Sequence, residues 1–308
     1  MKARGVLLWI GGLIAVAALA TLPVMASAAG TFQQTLQVTG PVDLEVYTHS
    51  GDVRIHAAES GSVRINGKIY VGNRWFGGDR SADVSEIEKN PPIRRSGNQI
   101  RIDYPSPRDI AIDYDIAVPA ETTVRVHSGS GDQTIEGLRG AVTLEAGSGD
   151  LRLTDTRGEM RAHTGSGNVT ATDVAGAFSV ECGSGDVRLT EKGDGEVRIH
   201  TGSGNIEVSG TRGPLRAEAG SGDVSIDGLI ASGWEVRTGS GNVDLRLPQD
   251  ASFDVDASTS SGSLTVGRPV TMTIQGNVER ARHSLNGKVR DGGPTLLVRT
   301  GSGDIHID

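Results

Sequence analysis

Nine times the chain writes Gly-Ser-Gly or its near equivalent at almost constant spacing. The fourth residue falls at Asp132, Asp150, Asn168, Asp186, Asn205, Asp223 and Asn242, a weaker copy ends at Ser263, and a full copy returns at Asp304. The first seven are separated by 18 or 19 residues. A second glycine series, Gly140, Gly158, Gly176, Gly195, Gly213 and Gly233, lies about midway, so each unit consists of two half-turns. A fixed period of this length marks a stack of similar supersecondary units rather than an ordinary globular domain.

Strict alternation fills the space between the corners. After them come Leu151 and Leu153, Val187 and Leu189, Ile206 and Val208, Val224 and Ile226, and Val243 and Leu245. Before them come triplets such as Val142, Leu144 and Ala146, or Phe178, Val180 and Cys182. Period two describes short strands with one buried face. Each strand is too short to fold alone, but equivalent strands stacked in parallel about 4.8 Å apart share one core. The expected fold is therefore all-β: a parallel β-solenoid, or β-helix, of ~18-residue coils with two half-turns each. The 44 glycines and 4% aromatic content suit a chain that turns often and packs aliphatic side chains.

The corner tetrapeptides are assigned as structural turns: Gly147-Ser148-Gly149-Asp150, Gly165-Ser166-Gly167-Asn168, Gly183-Ser184-Gly185-Asp186, Gly202-Ser203-Gly204-Asn205, Gly220-Ser221-Gly222-Asp223 and Gly239-Ser240-Gly241-Asn242. Two residues before each Gly-Ser-Gly stand His127, Glu145, His163, Glu181, His200, Glu218 and Arg237. This outward series alternates basic or imidazole groups with acidic ones, which favours neighbours in register and opposes slippage. From Glu145 onward Glu travels with a corner Asp, and His or Arg with a corner Asn, so the true period is two coils. Alternating Asn with Asp dilutes a column of like charges, and the corner serines are expected to bond to neighbouring backbone.

The start, "MKARGVLLWIGGLIAVAALATLPVMASAAG", joins Lys2 and Arg4 to an apolar run, Pro23 and the small-residue signal Ala26-Ser27-Ala28. It reads as a secretory signal peptide over residues 1–28. Membrane contact is expected only if this segment stays uncleaved, since Val6 to Val24 approaches the roughly 20 residues that span a bilayer. Loss of Lys2 and Arg4 takes the formal charge from −8 to −10, which disfavours nucleic acid. Cys182 is the single cysteine, so no intramolecular disulfide forms. It occupies an inward position and is read as a structural thiol.

Residues 29–308 read as one continuous domain with three stretches. Residues 29–128 supply less regular N-terminal coils, residues 129–264 the regular solenoid, and residues 265–308 an irregular loop and final coil. Ser81 as N-cap, Asp83 and Glu86 in the first turns and Pro91 as a stop predict a helix over about 81–90 that covers the open sheet end.

The pieces "HSGDVRIHA", "YDIAVPAETTVRVHSGSGD", the central repeat and "GGPTLLVRTGSGDIHI" resemble the bacterial "putative adhesin" family, domain of unknown function 4097. The resemblance covers nearly the whole chain after the signal segment. It implies an exported β-solenoid with an adhesive or scaffold role, and it brings no catalytic residues.

Other chemistry fits the residues less well. A phosphate loop requires Gly-Lys-Ser/Thr at a helix start, whereas here an acidic or amide residue enters a strand. The calcium nonapeptide matches in length but places its Asp differently, and Arg152 and Arg188 intrude. His163 and His200 lie two coils apart, about 9.6 Å, which is too far to share a metal ion. A polysaccharide-degrading or carbohydrate-binding β-helix needs a cleft built from long loops. Only residues 72–80, with Trp75 and Phe76, and 267–294, with Arg280, Arg282 and His283, offer such loops. The expectation is thus a non-enzymatic, exported scaffold at the periplasm or cell surface, without cofactor. Its partner class is an envelope or surface polysaccharide or protein, with the degrading β-helix and the calcium-binding repeat as alternatives.

Overall fold

The computed structural model describes residues 28–59, 61–72, 80–104, 109–272 and 283–308. The signal segment up to residue 27, Trp75, Phe76, Arg280 and Arg282 fall outside the described residues.

Two long sheets, one of 13 strands and one of 14, face each other along the stack. In the regular part every coil gives a seven-residue strand to the wider sheet, turns through Gly-Ser-Gly-Asp/Asn, and gives a shorter strand to the narrower one. The Asp186 coil, for example, runs Phe178–Ser184 and then Val187–Glu191. Register is residue for residue: Phe178 faces Met160 on one side and Val197 on the other. At strand spacings of about 4.8 Å the sheets are roughly 60 Å long.

Alternation explains the core. Val142, Met160, Phe178, Val197, Leu215 and Trp234 form one buried column, and Leu151, Val169, Val187, Ile206, Val224 and Val243 form another opposite. Each such aliphatic residue contributes about 1.5–3 kcal/mol on burial. Trp234, the bulkiest, directs its indole N–H to the Gly213 carbonyl at 3.1 Å, so no polar atom is stranded by its size.

The corners admit only glycine at two of their positions. Gly185 has φ +145°, and a Cβ there would stand 2.1 Å from the Gly167 carbonyl oxygen of the preceding coil. Gly183 is blocked by proximity, its Cβ falling 2.5 Å from the Gly165 oxygen.

The ends depart from simple stacking. The last coil, Thr295–Ser302 and Ile305–Ile307, is slotted between the Asn242 coil and the Ser263 coil of Phe253–Ser261 and Leu264–Val266. It was expected to end the stack; it fills a gap inside it instead. The same device recurs at the other end. Asp43–Ser50 and Val53–Ala58 sit between the Asp132 coil and the later strands Gln99–Asp103 and Ile110–Pro119. Beyond these the pairing turns antiparallel: Gly30–Gln37 with Ser62–Val71, Ile93–Ser96 with Gln99–Asp103, and Ser284–Val289 with both Phe253–Ser261 and Val270–Met272. A parallel ladder thus ends in hairpin-like pairs at both ends rather than in further coils.

The helix runs Ser81–Lys89, and its N-cap is Arg80 without a side-chain cap bond, not Ser81. Val84 and Ile87 are buried, and Glu88 accepts the Thr31 N–H at 2.8 Å. The helix therefore lies against Gly30–Gln37, the edge strand of the narrower sheet.

Candidate binding face

The exposed face of the wider sheet carries two parallel columns of charged side chains. The first runs Tyr47, His127, Glu145, His163, Glu181, His200, Glu218, Arg237 and Arg299. Within it His127 Nδ1 lies 2.9 Å from Glu145, His163 Nδ1 3.5 Å from Glu181, and His200 Nδ1 3.8 Å from Glu218. Arg237 closes on Glu218 at 3.5 Å.

The second column, unremarked in the sequence, alternates only in part: Arg125, Thr143, Arg161, Ser179 and Arg198 place Arg on every other coil, and Arg216 and Glu235 break the pattern. Arg216 ties the columns together, bonding Glu218 at 2.7 Å and Glu235 at 3.3 Å. Arg161 pairs with Glu159, and Arg198 with Glu196 at 2.5 Å. These exposed pairs each contribute about 0–1 kcal/mol, so their weight lies in pattern and register more than in stability.

Toward the N-terminal end the face steps down into a groove of about 540 Å³ bordered by Tyr47, His49, Asp103, Tyr104, His127 and Glu145. Tyr47 stacks on His127 at 4.7 Å and 10°, and Arg101 covers its other face at 4.4 Å. Burial comes first in raising the Tyr104 phenol above its ordinary range, reinforced by the charge of Asp83.

One edge of the face is the corner ridge, where the Asp/Asn residues have a definite task. Each side-chain Oδ1 accepts the backbone N–H of the next corner. Asp113 accepts from Asp52, Asp52 from Asp132, Asp132 from Asp150, Asp150 from Asn168 and Asn168 from Asp186. Asp186 then accepts from Asn205, Asn205 from Asp223, Asp223 from Asn242, Asn242 from Asp304 and Asp304 from Ser263, all at 2.7–3.0 Å. Asp and Asn share that oxygen, which is why either residue serves. At one adjoining Asp pair, Arg152 bridges Asp132 and Asp150 at 2.8 and 2.6 Å. Burial opposes ionisation of Asp132, but the Asp150 N–H and Arg152 outweigh it and hold the carboxyl below its usual range. For Asp304 the bonds from the Ser263 N–H and hydroxyl do the same.

The corner serines behave otherwise than expected. Ser148, Ser166, Ser184, Ser203, Ser221 and Ser240 are exposed and stand in register along the ridge. Bonds to neighbouring corner carbonyls come from the inward column instead: Thr201 to Gly185 at 3.2 Å, Thr238 to Gly222 at 3.0 Å and Thr300 to Gly241 at 3.0 Å. Cys182 belongs to this column, buried with its Sγ 3.4 Å from the Gly167 oxygen, and burial raises its thiol pKa. A buried thiol held protonated is inert.

No group of three or more His, Cys, Asp or Glu side chains suited to a metal ion occurs among the described residues. No helix among them is long and apolar enough to cross a membrane. His283, one of the candidate loop residues, sets its Nδ1 3.0 Å from the Gly262 oxygen.

Two solved structures are similar over most of their length. One is described as "a putative adhesin" from Bacteroides fragilis, with 13% identity over 91% of this chain and 98% of that one, at a TM-score of 0.31. The other is described as "a putative cell adhesion protein" from Clostridium sporogenes, with 11% identity over 90% and 98%, at a TM-score of 0.23. Comparison with curated proteins finds no match. The resemblance first seen in the repeat has a counterpart in a family model: residues 157–308 match Toastrack DUF4097.

Proposed function

We propose that this chain is an exported, non-enzymatic scaffold whose wide sheet face adheres to an envelope or surface polysaccharide or protein. The observation that carries this reading is the two-column lattice of Arg, His and Glu, repeated in register from coil to coil beside a ridge of exposed serine hydroxyls. Similar weak sites at a spacing of about 9.6 Å act by multivalency: a repeating partner engages several at once, and each further contact is intramolecular. Salt-bridged columns hold those sites in place before a partner arrives, which lowers the ordering cost of binding. The signal-like start supports the export.

The test combines location and binding. Fractionation with surface protease accessibility places the mature chain in the periplasm or at the surface; recovery in the cytosol overturns the proposal. Purified residues 29–308 are then added to envelope fractions. Retention should fall in a triple variant, Arg161→Gln, Arg198→Gln, Arg216→Gln, and unchanged retention refutes the face assignment. Turnover of an envelope polysaccharide by the purified chain would refute the non-enzymatic reading.

A further inference from the structure

At the C-terminal end of the stack, where the strands Val243–Arg246, Ile305–Ile307 and Leu264–Val266 stop side by side, the chain leaves a groove of about 880 Å³. Its lining includes Arg246, Arg268, Arg290 and one carboxylate, Asp308. Asp308 is fixed in the ladder, its carbonyl accepting the Leu247 N–H at 2.7 Å, and its side chain is paired with His306 at 2.6 Å. Three guanidinium groups therefore line a groove whose one acidic side chain, Asp308, already has a partner, in a chain whose formal charge is −8.

Two of these arginines are oriented in advance. Arg268 donates to the Pro248 and Leu247 carbonyls at 2.6 and 2.5 Å, and Arg290 donates to the Gln249 carbonyl at 3.0 Å. Carbonyl partners fix direction without cancelling charge. A guanidinium has five N–H donors, so most of those on Arg290 and more than half of those on Arg268 remain for another acceptor. Arg246 is exposed, and among the described residues its ion pair is with Asp244 at 3.5 Å.

The backbone at Arg290 adds an independent observation. Among the described residues three non-glycine positions have positive φ: Asp155, Asp173 and Arg290, the last at +56°. Asp adopts this region readily because its short side chain bonds locally; Arg does not. Asn or Gly would make the turn before Gly292 and Gly293 at less strain. What Arg adds over them is a cation aimed by the Gln249 carbonyl, and strain retained at one residue is characteristic of ligand clamps.

We propose that this end groove is an oxyanion site, taking a carboxylate or phosphate group between Arg246, Arg268 and Arg290. Forked guanidinium donors match the paired oxygens of both groups. The site lies apart from the charged sheet face and stands whether or not that face is adhesive.

The experiment titrates purified residues 29–308 with trigalacturonate, inorganic phosphate and the neutral maltotriose, by calorimetry at low and moderate salt. Trigalacturonate or phosphate should bind and maltotriose should not, with affinity falling as salt rises; which of the two anions binds identifies carboxylate or phosphate as the source. Arg246→Gln and Arg290→Asn should each weaken binding about tenfold. Arg290→Asn keeps the turn conformation, so its urea midpoint should match or exceed that of the unmodified chain. Absence of anion binding at millimolar concentration, equal binding of maltotriose, or full affinity in both variants overturns the proposal.

Discussion

The corner ladder makes Asp186 a residue whose loss can be worked out with a sign. Its Oδ1 accepts the Asn205 N–H at 2.9 Å, and its Oδ2 meets Arg188 at 3.1 Å. Asp186→Ala removes a bond to a charged acceptor, ordinarily about 1.5–3 kcal/mol, at an exposed corner where water replaces part of it; the loss is about 1–2 kcal/mol. Asp186→Asn keeps the acceptor and loses only the exposed Arg188 pair, about 0.5 kcal/mol or less. Charge dilution alone predicts the opposite sign. The nearest corner carboxylates, Asp150 and Asp223, lie two coils away, and at about 9.6 Å each repels Asp186 in water by roughly 0.4 kcal/mol before screening. Removing the charge would then stabilise slightly. Urea denaturation of the three proteins, with amide exchange read at Asn205, separates these outcomes. The ladder argument fails if Asp186→Ala unfolds at or above the unmodified midpoint and the Asn205 amide exchanges no faster. Gly185→Ala sets the upper bound of the series, with a forbidden φ and a clash at 2.1 Å costing more than about 3 kcal/mol.

Other expectations follow from the same geometry. Glu218→Lys should cost about 1–2 kcal/mol, because Glu218 faces Arg216, Arg237 and His200, while Glu181→Lys, far more exposed, should cost about 0.5 kcal/mol or less; equal urea midpoints refute the lattice. Glu191 is 3% exposed, its carboxylate oxygens sealed from water, and burial, together with the nearby Asp194 charge, raises its pKa against the opposing pull of the Thr211 hydroxyl and the Gly195 N–H. Its folded form thus prefers the proton, so its contribution is greatest below about pH 4.3 and falls as pH rises toward the raised folded value. Glu191→Val, copying Val174 at the paired position, should raise the urea midpoint at pH 7 more than at pH 4. Acid sensitivity from the lowered Asp132 and Asp304 carboxyls should persist in that variant, because their contribution is present above the ordinary Asp range and lost as pH falls below it through the lowered folded values. Millimolar calcium should leave the melting temperature unchanged, since corner Oδ1 atoms already hold backbone N–H groups; a rise reversed by chelator would refute this.

The regular coils were legible because burial imposes period two and a repeated corner imposes glycine. Val187, Leu189 and Gly185 announce a strand and a turn without reference to anything distant. The inward and outward faces, and the charged column from His127 to Arg237, follow from the same spacing. Stacking order was not legible: every coil offers equivalent hydrogen bonds to any other, so nothing in "TLLVRTGSGDIHI" states that it will sit between Asn242 and Ser263. The antiparallel end strands were hidden for a similar reason, since alternation such as that of Ser62–Val71 is the same in either direction. The corner Asp and Asn were found, but charge was the visible difference between them, while the shared Oδ1 acceptor was the property in use. Arg246, Arg268 and Arg290 stand far apart in sequence, and only the convergence of strand ends makes them neighbours.

The inserted last coil also bears on assembly in time. A chain that emerges from its N-terminus lays down Trp234–Ser240 and, later, Phe253–Ser261, yet these two strands meet only through Thr295–Ser302 between them. Until residues 295–307 arrive, the stack has a vacant berth, and the antiparallel end piece has no strand pairing to the rod. Completion is therefore a single late event that depends on the whole chain having passed. A truncated product is marked as unfinished by two unpaired strand edges in each sheet, the kind of surface that quality-control proteases and aggregation both recognise.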